Sequence, residues 1–244
     1  WINGQRSGLY KEYNKKGQLR EEGLYENFMK TGLWKYYQNG QLRTEGDFKE
    51  DLRHGQWNYY KNQVLIKVEF YLDNQVEGLS KSYNEKGNLI EEVTFKENFE
   101  DGLYKSYYDN GQLKERGVLR PRKEKEGIWC WYYIDGQLKQ EASFKQGKIN
   151  GVWNRYYENG ILSSQGSYID GQKDGIWKEY YRNGKIKIEE IWEAGYENGA
   201  WKEYTSEGQL SAEGIVKNDK PHGIERFYHE DGSVWIDLSL EGLD

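Results

Sequence analysis

The sequence predicts an all-β fold, an elongated and twisted antiparallel array of about ten β-hairpins with a repeat near 24 residues. Three observations carry this. A glycine followed within two residues by an apolar or aromatic side chain recurs at Gly8, Gly32, Gly55, Gly78, Gly102, Gly127, Gly151, Gly175, Gly199 and Gly223. A second glycine follows nine positions later at Gly17, Gly87, Gly111, Gly136, Gly160, Gly184, Gly208 and Gly232; Gly40 and Gln63 arrive one position early. Aromatic residues make up 16% of the chain beside 29 Gly and only 2 Pro, which favours short strands and tight turns over helices.

The stretch Gly151 to Ser167 serves as the template. Val152 to Tyr157 is β-branched and aromatic, as a strand should be. Asn159-Gly160 predicts a two-residue type I′ turn, which needs positive φ at both positions. Ile161 and Leu162 begin the return strand, which ends on a late aromatic, Tyr168.

Placing the turn at the second glycine fixes the cross-strand partners. Lys11 then faces Glu22, Lys81 faces Glu92, Lys178 faces Glu189, Lys202 faces Glu213 and Arg226 faces Asp237. Opposite charges directly across a ladder fix register. Lys105 opposite Arg116 is the exception. The same count sets Tyr10, Tyr104, Trp153 and Trp201 across from Gly23, Gly117, Gly166 and Gly214, and Trp129 across from Ala142, so each ring is expected to cover bare backbone within its own hairpin. It also sets Tyr108, Tyr133, Tyr157 and Tyr181 opposite Leu113, Leu138, Leu162 and Ile186.

Strand alternation divides these residues between two faces. The tryptophans, the second tyrosine of each repeat, the leucines and the late aromatics form the expected core face. The lysine–glutamate pairs share the other, solvent-facing side with the first tyrosine of each repeat: Tyr13, Tyr83, Tyr107, Tyr132, Tyr156, Tyr180, Tyr204 and Tyr228.

Residues 1–7 read as the remnant of a preceding, cut repeat, because Trp1-Ile2-Asn3-Gly4 aligns with Tyr168-Ile169-Asp170-Gly171. Residues 8–222 read as nine hairpins and 223–244 as a C-terminal capping repeat, with Glu225 and Leu238 at the tryptophan and glycine positions. The whole is expected to be one repeat domain, about 95 Å long at 4.8 Å per strand. Repeats two and three are one residue short, which predicts a bulge or register change around Lys35 and Asn58. Repeat four has Ser80 in place of Trp. The connection Leu119 to Gly127 carries Pro121 and the basic residues Arg120, Arg122, Lys123 and Lys125.

Motif and repeat together read G-Φ-W-x-x-Y-Y-x-x-N-G-x-L-x-x-E-x-x-Y. Gly175-Ile176-Trp177 with Tyr180-Tyr181 and Asn183-Gly184 is a good copy. So is Gly199 with Trp201, Tyr204, Gly208, Leu210 and Glu213. The pattern resembles the MORN-repeat variant of bacterial proteins. That resemblance implies a scaffold or membrane-associated platform, and similar proteins are often labelled YwqK-family antitoxins.

The net charge of −6 argues against a phosphate-tracking nucleic-acid binder, and no apolar run approaches a membrane span. One cysteine, Cys130, allows no intrachain disulfide. The compartment stays open: cytoplasmic, or exported with a signal segment removed. His54, His222 and His229 fit no metal-ligand spacing and read as surface-loop histidines. Glutamates in register with lysines read as an ion-pair ladder rather than a catalytic pair. Gly166 to Gly175 lacks the Lys-Ser/Thr of a phosphate loop. No enzyme, cofactor or metal is expected. Two function classes remain. One is a protein-binding scaffold, including an antitoxin or immunity version, using the tyrosine stripe or the loop of Arg120, Arg122, Lys123 and Lys125. The other is a carbohydrate- or cell-wall-binding aromatic array, which needs rings from adjacent hairpins to share an open pocket. Lipid association comes third. The tyrosine stripe also reads as stacking that only stiffens the sheet.

Overall fold

The computed structural model describes residues 7–239. Among them are twenty-three strands, one 3-10 turn at Pro121–Lys123 and no α-helix. The alignment drawn for Trp1 to Gly4 lies outside the described residues. Two compact units comprise residues 1–124 and 125–244. Each is an antiparallel sheet in which successive strands pair.

The first unit holds five hairpins, from Gly8–Tyr13 with Leu19–Glu26 to Phe99–Tyr107 with Leu113–Arg120. The second holds five more, from Glu124–Tyr132 with Leu138–Lys145 to Ile224–Tyr228 with Val234–Ser239. The register set by charge is present: Lys11 pairs with Glu22, Lys81 with Glu92, Lys178 with Glu189, Lys202 with Glu213 and Arg226 with Asp237. Lys105 does lie opposite Arg116, and Glu92 of the preceding hairpin faces Lys105 from its other side.

Three local expectations are corrected. The turns at Asn110-Gly111, Asn159-Gly160 and Asn183-Gly184 are three-residue loops. Gly160 donates to the Tyr157 carbonyl at 2.9 Å and Tyr157 to the Ile161 carbonyl at 2.8 Å, and only the glycine has positive φ, 79°. A type I turn closed by a left-handed glycine suits the strand twist as well as type I′ does. The two-residue turn with positive φ at both positions occurs instead in the two short repeats, at Asn39-Gly40 (51° and 77°) and Asn62-Gln63 (51° and 68°). The missing residue is therefore taken from the loop and not from the strand.

Second, each hairpin carries a bulge just before the tyrosine that stands three residues after its tryptophan position. Tyr107, Tyr132, Tyr156 and Tyr180 thus stand opposite Leu113, Leu138, Leu162 and Ile186, where the second tyrosines were expected. Third, the glycines are covered from the next hairpin. A Cβ on Gly23 would lie 2.2 Å from Trp34, one on Gly46 2.3 Å from Trp57, and one on Gly166 2.2 Å from Trp177. A strand interior has two neighbours, and the ring from the following hairpin takes the bare backbone. Trp201 is the exception and lies over Gly214 of its own hairpin.

Trp34, Trp57 and Trp129 are fully enclosed, at 0, 0 and 1% exposure. The three indoles that cross a glycine of the preceding hairpin each find a polar partner. Trp34 Nε1 donates to the Leu24 carbonyl (3.0 Å), Trp57 to Asp47 (3.1 Å) and Trp177 to Ser167 (3.2 Å).

Candidate functional site

The face opposite the tryptophans is built from three columns that the strand period aligns. The first is a lysine and glutamate pair, present within several of the hairpins. Lys11 reaches Glu22 at 3.1 Å, Lys81 reaches Glu92 at 3.1 Å and Lys178 reaches Glu189 at 2.6 Å. The second is the tyrosine of the following hairpin, which donates its phenol to the same glutamate. Tyr37 donates to Glu22 (2.7 Å), Tyr60 to Glu45 (2.7 Å), Tyr107 to Glu92 (2.6 Å), Tyr156 to Glu141 (3.1 Å), Tyr204 to Glu189 (3.1 Å) and Tyr228 to Glu213 (2.7 Å). Each glutamate therefore ties two hairpins together.

Protonation states follow from this. Donation from Tyr37, then from Lys11, holds the Glu22 carboxyl below its ordinary value. Tyr107 and Lys81 do the same for Glu92, and Lys178 and Tyr204 for Glu189. Burial, then the accepting carboxylate, pushes the phenols of Tyr37, Tyr60 and Tyr107 up to about 12.

The third column is apolar and exposed. The residue just before each tryptophan position points to this face: Leu9 (88% exposed), Leu33, Leu79, Leu103 (62%), Ile128 (64%), Val152, Ile176 (60%) and Ile224. Phe70, Ile191 and Ile215 extend the ridge from return strands, opposite Gln56, Ile176 and Ala200. Each unit carries its own stretch of these residues beside its ion-pair column. Large single-file apolar exposure of this kind marks a contact surface.

The tryptophan face is largely closed. Lys30 lies over Trp34 at 3.8 Å, Arg53 over Trp57 at 4.4 Å, Lys125 over Trp129 at 4.1 Å and Lys173 over Trp177 at 4.4 Å. The late aromatics meet the rings edge-on, as Tyr25 meets Trp34 at 5.0 Å and Tyr168 meets Trp177 at 5.2 Å. Each such indole has backbone beneath or beside it and a cation above.

The tyrosines singled out from sequence share one face, and four of them, Tyr107, Tyr156, Tyr204 and Tyr228, make the glutamate bond described above. Tyr13 is 55% exposed; Tyr83 and Tyr180 are half-buried, as is Tyr132. Tyr37 and Tyr60 belong to the same column and escaped the sequence reading. They lie three residues after Trp34 and Trp57, and counting from the early turn glycine displaces them by one. The basic loop does not act as one patch. Arg120 pairs with Asp101 at 3.1 Å, Lys123 pairs with Glu100 at 3.1 Å, and Lys125 roofs Trp129, while Arg122 is exposed.

Cys130 is buried, cross-strand from Glu141. His54 Nδ1 stands 3.6 Å from Asp73, and His229 lies against Trp235 with ring centres 6.0 Å apart. Among the described residues no three His, Cys, Asp or Glu side chains are placed to hold a metal ion, and no helix is long and apolar enough to cross a membrane.

A family model described as the MORN repeat variant matches nine stretches: residues 6–27, 30–50, 76–97, 100–118, 125–146, 149–170, 173–193, 197–218 and 221–239. The chain belongs to the MORN repeat variant family. Nine of its ten hairpins are matched MORN repeats. The tenth, Leu52–Lys61 with Val64–Leu72, has Gln63 where the other repeats carry their second glycine. MORN repeats build scaffolds that commonly bind proteins or membranes.

No curated protein matches the chain. Among solved structures it is similar to a Tc holotoxin pore of Photorhabdus luminescens (11% identity, TM-score 0.24, covering 94% of this chain and 16% of that one). It is also similar to a TcdB2-TccC3-Cdc42 complex (12% identity, TM-score 0.21, covering 93% and 14%). The MORN chain thus spans less than a fifth of those proteins' length.

Proposed function

We propose that this MORN chain is a non-enzymatic scaffold that captures a protein partner on its lysine–glutamate–tyrosine face, in the manner of an antitoxin or immunity protein. The observation that carries this is the exposed aliphatic ridge of the second unit, Ile128, Val152, Ile176 and Ile224, lying beside that unit's tyrosines. The neighbouring charges are already paired within the sheet, so the ridge sits in a nearly neutral field. A partner gains apolar contact there without stripping an unpaired ion of water. Tyrosine beside aliphatic side chains adds contact area at low entropic cost.

The test is affinity capture by the intact chain, compared with Ile128→Ser, Val152→Ser and Ile176→Ser. These side chains are exposed, so the fold should change by no more than about 0.5 kcal/mol. Loss of the same captured protein from all three variants is expected. Undiminished capture by the serine variants, with loss instead in Arg122→Ala, would move the contact to the 120–125 loop and end this proposal. A toxin as the captured protein is what the antitoxin version requires.

A further inference from the structure

The cationic roof over the tryptophan face is broken at two places in the second unit, at Trp153 and at Trp201, where Glu197 stands four residues before the ring. Lys125 and Lys173 stand four residues before Trp129 and Trp177, but Ile149 holds that place before Trp153. Trp153 is half-buried and its ring lies 5.3 Å from that of Trp177. A cavity of about 210 Å³ opens here, lined by Trp153, Tyr168 and Trp177 together with Arg155, Ser164 and Glu179. A second cavity, about 400 Å³, adjoins it, because Arg155, Ser164 and Glu179 line both. Its further wall includes Tyr133 and Tyr157, with Arg182 over the Tyr157 ring at 5.1 Å.

Arg155 sits in the middle of this groove. It is exposed, its cross-strand neighbours Gln140 and Ser164 are neutral, and among the described residues no acidic side chain pairs with it. The basic residues nearby are already committed, Lys173 between Trp177 and Trp192 and Arg182 over Tyr157. The groove therefore offers ring surfaces from adjacent hairpins, hydroxyl and carboxylate groups between them, and one guanidinium free to take a carboxylate in a two-pronged bond.

We infer that this groove binds an acidic oligosaccharide, with one sugar ring against Trp153, the covered rings of Trp177 and Tyr157 forming its flanks, and one uronate carboxylate on Arg155. A pyranose has an apolar face and a rim of hydroxyls, which matches the alternation of rings with Ser164, Glu179 and Glu158. A polyphosphate or nucleic acid does not fit, because Glu158, Glu179 and Glu190 line the same cavities and would repel closely spaced anions. A single carboxylate carried among hydroxyls can reach Arg155 and leave those acids to accept sugar hydroxyls.

The experiment titrates the full chain with an aldotetraouronic acid (one glucuronate carried on neutral xylose rings), a neutral malto-oligosaccharide and inorganic phosphate, following tryptophan fluorescence and heat. A saturable response to the aldotetraouronic acid is expected. Arg155→Gln should weaken it by about tenfold or more. Ile149→Lys rebuilds the missing roof and should abolish it, while melting and circular dichroism stay those of the parent chain. The inference fails if the parent chain gives no saturable response to the aldotetraouronic acid. It fails equally if Ile149→Lys binds as the parent does, or if phosphate produces the same response and displaces the sugar.

Discussion

Gly46→Ala tests the central packing claim, that each tryptophan covers the glycine of the preceding hairpin. A Cβ at Gly46 would stand 2.3 Å from Trp57 Cδ2 and 2.4 Å from Cγ, so the ring has to retreat by more than 1 Å to reach ordinary contact. It has nowhere to go. Phe48 meets it edge-on at 5.1 Å, Tyr36 stacks at 6.2 Å and Arg53 roofs it at 4.4 Å. Overpacking of this kind costs about 1–3 kcal/mol, and loss of the Trp57 bond to the Asp47 carbonyl adds about 1 kcal/mol. The expected destabilisation is about 2–4 kcal/mol. In a Trp57→Ala background the same alanine enters the space the indole has left. Its additional cost should fall to about 0.5 kcal/mol or less, a coupling of about 2 kcal/mol or more. Urea unfolding supplies the global number, and hydrogen exchange over residues 41–61 supplies the local one, because repeat arrays can open in part. Trp34→Ala is the decisive control, since Trp34 is the cross-strand partner of Gly46 within its own hairpin. If Trp34→Ala relieves Gly46→Ala and Trp57→Ala does not, the covering ring belongs to the same hairpin and the reasoning is wrong.

Other consequences concern the polar face. Tyr107→Phe removes the phenol that donates to Glu92 at 2.6 Å but leaves Lys81 in place, so a loss of about 1 kcal/mol is expected in urea unfolding. Glu22, Glu92 and Glu189 have folded carboxyls held low, so their contribution is complete above the unfolded value near 4.5 and disappears as pH falls through the folded values. Stability should fall in acid, and less steeply in Glu92→Gln. Tyr37, Tyr60 and Tyr107 run the other way at high pH. Their folded phenols at about 12 exceed the unfolded value of 10.0, so stability is retained below pH 10 and lost as pH rises through about 12. Tyrosinate absorbance should appear late for these residues and together with loss of β-sheet dichroism.

The number of hairpins and their cross-strand register were legible because charge and glycine spacing over-determine them. Five opposite-charge pairs agree on one alignment, and a slip of one residue would break all of them at once. The loops were not legible at the same level. Both a type I′ turn and a three-residue loop end on a left-handed glycine, so Asn159-Gly160 fits either, and only the pairing of Tyr156 with Leu162 decides. The ridge was hidden for a different reason. Leu103 and Ile176 look like core residues by composition, but strand parity puts them on the side away from the tryptophans. The roofs over Trp34 and Trp177 were hidden because Lys30 and Lys173 precede their rings across a turn bulge, where simple alternation stops counting correctly.

The sequence itself already varies the packing that Gly46→Ala is meant to probe. Positions eleven apart across each hairpin boundary trade volume: Gly23 with Trp34, Gly46 with Trp57, Gly166 with Trp177, then Val93 with the smaller Tyr104 and Glu69 with the small Ser80. Within hairpins no such rule holds, since Trp57 faces Glu69 and Trp177 faces Glu190. Glu69 fills the space over Ser80, 7% exposed, and is held there by Tyr71 at 2.8 Å and Lys67 at 2.5 Å. The one boundary that pairs two large residues, Glu190 with Trp201, is where the ring turns away. Trp201 lies over Gly214 of its own hairpin, and Gly214 is open to it because the next residue in the column is Glu225 and not a tryptophan. Packing is therefore satisfied boundary by boundary, each hairpin answering to its neighbour. Because that exchange is confined to the tryptophan face, the side chains at Leu103, Ile128 and Ile176 on the opposite face can be set by what they touch outside the sheet.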